Sequence, residues 1–281
     1  MLTTRVFALT LLSMLAFAGN SLLCRLALTH TTIDPASFTS LRILSGALVL
    51  WLVVRLRDGS FRFAGSWVSA FALFAYAAGF SFSYVSLSAG TGALLLFAAV
   101  QATMIGYGLS AGERLQQRQV VGLLCAFAGL VGLLLPGFSA PPLGSALLML
   151  GAGIAWGLYS LRGRCATEPR QATAGNFIRA AVFTSALSLF RFSQISVDAY
   201  GVGYALVSGG LASGLGYVIW YEALRGLKST SAATVQLSVP VIAAIGGVVL
   251  LSEPMTLRLS ITALAILGGI VLVVIPPRTS G

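Results

Sequence analysis

Residues 229–276 read STSAATVQLSVPVIAAIGGVVLLSEPMTLRLSITALAILGGIVLVVIP. Two long apolar runs flank a short polar break at Ser252, Glu253 and Pro254. A bilayer's hydrocarbon core is roughly 30 Å thick, and a helix crosses it with about 20 apolar residues. Each run meets that length. Backbone N–H and C=O groups find no water in lipid, so only helices and closed barrels span it. The runs are continuously apolar, without the alternation of a barrel strand, so they predict two transmembrane helices joined by a tight turn.

The same pattern fills the chain. Hydrophobic residues make up 57% of the 281, charged residues only 9%, and mean hydropathy is +0.94. A soluble domain carries about 25% charged residues, so most of this surface must face lipid. Apolar runs predict spans at 5–27, 34–54, 65–87, 92–111, 119–136, 143–161, 174–190, 200–221, 231–251 and 258–277, separated by turn signals such as Asp58–Gly59–Ser60 and Glu168–Pro169. The first run lacks a small-residue cleavage site before a soluble domain and reads as a span, not a removed signal. Cys24, Cys125 and Cys165 are scattered through apolar sequence, with neither metal spacing nor a disulfide framework.

The net charge of +10 is spread through short loops, as membrane orientation requires, which argues against nucleic acid as a partner. With a cytoplasmic N-terminus, twelve of the seventeen Lys and Arg fall on inner segments, and only Arg25, Arg191 and Arg258 on outer ones. That bias predicts both termini inside. The chain also aligns with itself at a shift of 140 residues, which superposes Ile105–Gly106 on Ile245–Gly246, Glu113 on Glu253, Gly129 on Gly269 and Pro136 on Pro276. Earlier parts match at slightly shorter shifts, Gly19 with Gly157. Five spans per copy is an odd number, so the second copy enters from the opposite side. The predicted fold is an all-α integral membrane protein of ten helices, in two inverted five-helix repeats at 1–138 and 139–281. Inverted repeats characterise many secondary transporters, with the site near mid-membrane between the halves.

At AFAGNSLLCRLAL, DPASFTSLRILSGALVLWL, GAGIAWGLYSL and the closing 229–276 stretch, with Pro240 in mid-helix and the Glu253–Pro254 turn, the chain resembles the drug/metabolite transporter superfamily in its ten-helix EamA-type form. The resemblance covers essentially the whole chain. Within that group it looks most like the YddG-type exporters of aromatic and other amino acids. It implies a multi-pass protein of the inner (plasma) membrane that exports such amino acids by alternating access.

Candidate cavity residues follow from polarity at span depth. Arg42 and Arg179 are the charges placed well inside spans. Such a charge marks a substrate path or a paired structural site; each arginine either attracts a substrate carboxylate or holds helix-end carbonyls. Aromatic and amide stripes run at helical spacing: Tyr76, Phe80 and Tyr84; Phe97 and Gln101; Trp156 and Tyr159; Ser213, Tyr217 and Tyr221. Of these, Phe80, Tyr84, Gln101, Trp156, Tyr159 and Tyr217 are the candidates for a cavity that takes a zwitterion with an apolar side chain, the alternatives being interfacial belts or packing. Asn20 and Gln236 are polar at lipid depth and serve either as helix–helix glue or as substrate contacts. Pro240 is a candidate hinge.

All seven acids lie at or near span ends, with Glu222 the deepest and Arg225 one turn away as its expected partner. The expectation is therefore gradient-driven transport or exchange, with proton coupling through Glu222 as the competitor. No Walker-type loop, zinc spacing or cofactor motif occurs, and the one histidine, His30, falls in a loop. The reading is thus a non-enzymatic amino-acid exporter without cofactor or metal, acting as a monomer in the bilayer. A drug or sugar-phosphate carrier of the same superfamily and a membrane-embedded enzyme are the alternatives.

Overall fold

A computed structural model describes residues 4–112, 114–137, 139–164, 166–227 and 234–274. Glu113, Cys165, Lys228, Ala233, Pro276 and Arg278 lie outside these residues. Among the described residues ten long helices follow one another: α1 Thr4–His30, α2 Pro35–Asp58, α3 Trp67–Tyr84, α4 Ala89–Ser110, α5 Gln117–Leu134, α6 Leu143–Arg164, α7 Pro169–Phe190, α8 Ala199–Leu224, α9 Thr234–Leu251 and α10 Leu257–Val274. Among the described residues there is no strand.

Local chemistry sets the helix starts. The Asp34 carboxylate accepts from Ala36 N and Ser37 N, with Pro35 in the first turn of α2. Ser66 and Ser88 cap α3 and α4 by accepting from Ser69 N and Thr91 N. Each cap satisfies N–H groups that the first turn leaves without a helical partner. Gly59 ends α2 at φ 70, a left-handed position that glycine adopts without a Cβ clash.

Among the described residues, nine of these helices are long and apolar enough to cross a membrane, and α7 falls short. The reason is its inward face. Gln171, Thr173, Asn176, Arg179 and Thr184 are all buried against the rest of the bundle. Elsewhere the pattern is the inverse of a soluble protein's. On α5 and α10, Leu124, Phe127, Leu257, Ile261 and Leu264 are exposed, while Gly122, Gly129 and Gly269 are turned toward each other's helices. Lipid is as apolar as leucine, so helices associate here through close contact of small residues. A Cβ at Gly269 would strike the Gly122 carbonyl.

The helices pair in an ordered way. α5 lies on α10, α2 on α7 and α4 on α9. α6 packs on α3 and α4, and α1 packs on α8 and α9. α8 is not a uniform α-helix: Ser208–Leu215, reading SGGLASGL, winds as a π-helix. Its Gly209 lies against the Arg42 carbonyl and Ser45 Oγ of α2, where any side chain would collide. π-turns inside helices recur at functional sites.

Candidate functional site

The two ends of the bundle are built differently. At one end the α1–α2, α3–α4, α7–α8 and α9–α10 connections meet. Arg25 of α1 donates from Nε to Glu253 Oε1 at 2.9 Å, and from Nη1 to the Tyr84 and Val85 carbonyls at 2.9 and 3.0 Å. Glu253 Oε2 accepts from Ala89 N at 2.8 Å. One ion pair thus ties α1, the end of α3, the start of α4 and the α9–α10 turn. Asp34 and Ser196 exchange hydrogen bonds beside it, Asp34 N to Ser196 O at 2.9 Å and Ser196 N to Asp34 Oδ2 at 3.1 Å. Thr32 N donates to Asp198 Oδ2 at 2.9 Å. This end is closed.

At the other end a cavity of about 610 Å³ opens. Its mouth carries Asp58, Arg62, Glu168, Arg170, Glu222 and Arg225. Arg170 bridges Asp58 at 3.1 Å and Glu222 at 3.6 Å, and Arg225 pairs with Glu222 at 3.5 Å. The expected Glu222–Arg225 pair is present, at the mouth and not at mid-depth. Deeper walls carry Gln101, Met104, Ser160 and Gln236, and the floor is Phe17, Trp156, Tyr217 and Trp220. The mouth is charged, the walls carry amides and the floor is aromatic, which suits a small solute with polar and apolar ends.

Below the floor lies a chamber of about 20 Å³, lined among others by Asn20, Tyr76, Phe80 and Ala212. It shares Phe17, Trp156 and Tyr217 with the larger cavity, so those rings form the partition. An aromatic ladder runs from the closed end to that partition: Tyr84 to Phe80 at 4.7 Å, Phe80 to Tyr76 at 5.5 Å, Tyr76 to Trp156 at 4.8 Å and Trp156 to Tyr217 at 5.0 Å between centroids.

Comparison with known proteins agrees with this build. The profile of the EamA-like transporter family matches residues 143–275. An uncharacterized protein of Pseudomonas aeruginosa is 57% identical over 252 residues, which cover 89% of this chain and 88% of that one. Residues 143–275 of the chain belong to the EamA-like transporter family. An uncharacterized transporter of Archaeoglobus fulgidus is 26% identical over 90% of this chain and 91% of its own. A solved crystal structure superposes with a TM-score of 0.67, covering 94% of this chain and 95% of that one at 19% identity, a likeness of fold alone.

Within this EamA-like fold the predicted residues divide. Gln101, Trp156, Tyr217 and Gln236 line the large cavity. Asn20 and Phe80 line the chamber, again with Trp156 and Tyr217. Tyr159 stacks on Trp156 at 5.5 Å, behind the floor. Tyr84 is buried at the closed end, where its hydroxyl donates to the Ala89 carbonyl at 3.3 Å.

The two span arginines have different surroundings. Arg179 lines neither space. It donates to the carbonyls of Ala64 at 2.6 Å, Gly175 at 3.1 Å and Phe63 at 3.3 Å, and lies 4.0 Å over the Phe63 ring. It holds the α2–α3 connection, which is the helix-end role. Arg42 is buried at 1% exposure behind Tyr76 and Phe80, with its guanidinium 5.1 and 4.7 Å from their ring centroids. It donates to Tyr76 Oη at 2.9 Å and Ser213 Oγ at 3.3 Å.

Pro240 is buried in α9, three residues after a turn at Leu237 that interrupts the helix. Proline has no N–H for the carbonyl of Gln236, four residues back, which accounts for the break in the helix there. Sequence reasoning omitted Phe17, Trp220 and Tyr76 from the candidates. For Tyr76 the signal was present, since it begins the four-residue stripe of α3.

Proposed function

We propose that this EamA-like transporter is a secondary carrier that exports neutral amino acids, aromatic ones included, across the inner membrane by alternating access. In this reading 1–138 and 139–281 are inverted halves, both termini are cytoplasmic, and the chain works as a monomer. The observation that carries it is the asymmetry of the bundle: a cavity of about 610 Å³ open at one end and an ion-paired seal at the other. A carrier caught facing one side has that shape. A static channel has no need of it.

The pairing of helices supports inverted halves. Exchanging each helix with the one five places along turns α6 on α3 and α4 into α1 on α8 and α9, and leaves α5 on α10, α2 on α7 and α4 on α9 unchanged. The family profile, at 143–275, falls within the proposed second half. The excess of Lys and Arg on the segments at the open end supports a cytoplasmic mouth. Export then begins with a substrate entering from the cytoplasm into the cavity walled by Gln101 and Gln236 and floored by Phe17, Trp156 and Tyr217. The described acids sit at helix ends or in turns, not at mid-depth, which fits transport down a gradient or by exchange. Proteoliposomes preloaded with unlabelled phenylalanine, threonine or methionine should take up the labelled amino acid by counterflow, and saturably. Absence of counterflow with every neutral amino acid would overturn the substrate assignment.

A further inference from the structure

We infer that the chamber beneath the aromatic floor is a carboxylate subsite, with the Tyr76 hydroxyl as donor, Asn20 beside it, and Arg42 as the positioning residue that charges it. This deepens the amino-acid reading above and rests on it for the identity of the whole substrate.

Arg42 is costly where it lies. A cation at membrane depth is expensive, and a buried charge is ordinarily paired. Among the described residues no Asp or Glu pairs with Arg42; the ion pairs involve Arg25, Arg62, Arg170 and Arg225. What surrounds its guanidinium is neutral: two hydroxyls and the faces of two rings. Its Nη1 is buried with no hydrogen-bond partner, and an unsatisfied buried donor asks for an acceptor. The cluster holds a positive charge and lacks the negative one.

Tyr76 carries that charge to the chamber wall. Its oxygen accepts from Arg42 Nη2 at 2.9 Å and from Asn20 Nδ2 at 3.4 Å. The Asn20 amide is oriented by Ser208, which donates to Oδ1 at 2.6 Å and so turns Nδ2 toward the phenol. Both groups facing the phenol are therefore donors, and neither can take its proton. A phenol has one proton to give, and Tyr76 lines the chamber. Accepting from a guanidinium strengthens that O–H as a donor, because charge-assisted bonds polarise their neighbours. The π-helix of α8 supplies Ser208 and Ser213 to this network at once.

The geometry selects the ligand class. One guanidinium behind the wall, with the Tyr76 and Tyr217 phenols, the Asn20 amide and the Ser21 hydroxyl among the lining residues, matches a single negative charge. A phosphate dianion wants several cations or a ring of donors. At about 20 Å³ the chamber holds roughly one water, so a whole amino acid does not enter; its carboxylate does, when Phe17, Trp156 and Tyr217 part. The ammonium then stays at the partition, where the Trp156 and Tyr217 faces suit a cation. The substrate carboxylate neutralises Arg42 in transit.

The test uses the full-length protein in liposomes and three ligands of one shape: phenylalanine, 3-phenylpropionate (carboxylate only) and 2-phenylethylamine (ammonium only). Each is scored as a competitor of counterflow and by thermal shift of the detergent-solubilised protein. In the wild type the carboxylate competes and the amine does not. Tyr76→Phe removes only the hydroxyl and should reduce the carboxylate-over-amine preference by at least about tenfold, the scale of a hydrogen bond to a charged group. Arg42→Gln should do the same with the Tyr76 ring in place, and Arg42→Lys should restore part of the preference. A Tyr76→Phe protein that transports amino acids with unchanged preference overturns the subsite and leaves the amino-acid reading standing. A wild type that shows no amino-acid flux, but whose thermal shift with 3-phenylpropionate disappears in Tyr76→Phe, overturns the reading and leaves the subsite standing. A wild type that responds to neither carboxylate overturns both.

Discussion

The closed and open ends of the bundle use the same residue types to different effect. Both join arginine to a carboxylate across helices that are far apart in sequence. At the closed end Arg25 and Glu253 are 19% and 12% exposed, and each also binds backbone groups of other elements. At the open end Arg62 and Glu168 are 73% and 50% exposed at 3.6 Å, while Arg170 and Glu222, 29% and 20% exposed, meet at the same distance on the cavity rim. A half-buried pair with fixed backbone partners acts as a latch, because removing one member strands the other. A solvated pair contributes about 0–1 kcal/mol and yields easily. On the proposed alternating-access cycle, the difference locates where work must be done: at the closed end.

Glu253→Gln is the sharpest way to break the contrast. It removes the charge facing Arg25 and weakens the acceptor for Ala89 N, and loss of one partner of a buried pair costs about 3–5 kcal/mol, less here because the pair keeps some water contact. The released energy favours opening at the closed end. With Ser21→Cys as the reporter, in a chain whose native cysteines are replaced, a membrane-impermeant maleimide applied at that end should react at least about tenfold faster than in the Glu253 parent. Unchanged labelling would mean the pair is not the latch.

Gly209→Ala probes the middle, where α8 crosses α2. The added methyl meets the Arg42 carbonyl and Ser45 Oγ, both held by their own helix. Overpacking of this kind costs about 1–3 kcal/mol. The expected result is a lower melting temperature, together with loss of the Ser213 contact that helps position Arg42. An equal melting temperature would show that the π-helix gives way freely.

On the proposed inverted repeat, Glu113 is the counterpart of Glu253 at the 140-residue shift. Glu113→Gln should then act in the opposite sense and slow labelling at Ser21→Cys, by about two- to fivefold, since it weakens the state in which the mouth is shut. Faster labelling would contradict the pairing of the two acids.

Much of this comparison was legible in sequence, and the rest was not, for physical reasons. Helix number follows from apolar run length, a local property, and Asp34–Pro35 and Glu168–Pro169 mark breaks after which the structure starts helices. The aromatic stripes follow from helical periodicity. The fates of the two span arginines do not, since each is a lone cation in an apolar run. What separates them is tertiary: the α2–α3 connection presents carbonyls to Arg179, and the π-helix of α8 presents a hydroxyl to Arg42. The Arg25–Glu253 latch joins residues 228 apart, and nothing in either local stretch announces the other. α7 shows the reverse error of hydropathy, a bundle helix made too polar for the criterion by an inward face that needs its polar groups.

The smallest expected effect concerns pH at the closed end. Asp198 caps α8 through Gly201 N at 2.9 Å and accepts from Thr32 N. The Gly201 N–H, followed by the Thr31 and Thr32 groups, holds its carboxyl below the ordinary carboxylate range. A depressed carboxyl contributes stability above its unfolded pKa of about 4 and loses it as pH falls through the lower folded value. Opening at the closed end should therefore be insensitive to pH from 8 down to about 5 and rise only below about 4. Asp198→Asn keeps an acceptor for the cap and removes the titration, so its labelling rate should stay flat through that acid range. A rise in the variant equal to the parent's would take the acid effect away from the α8 cap.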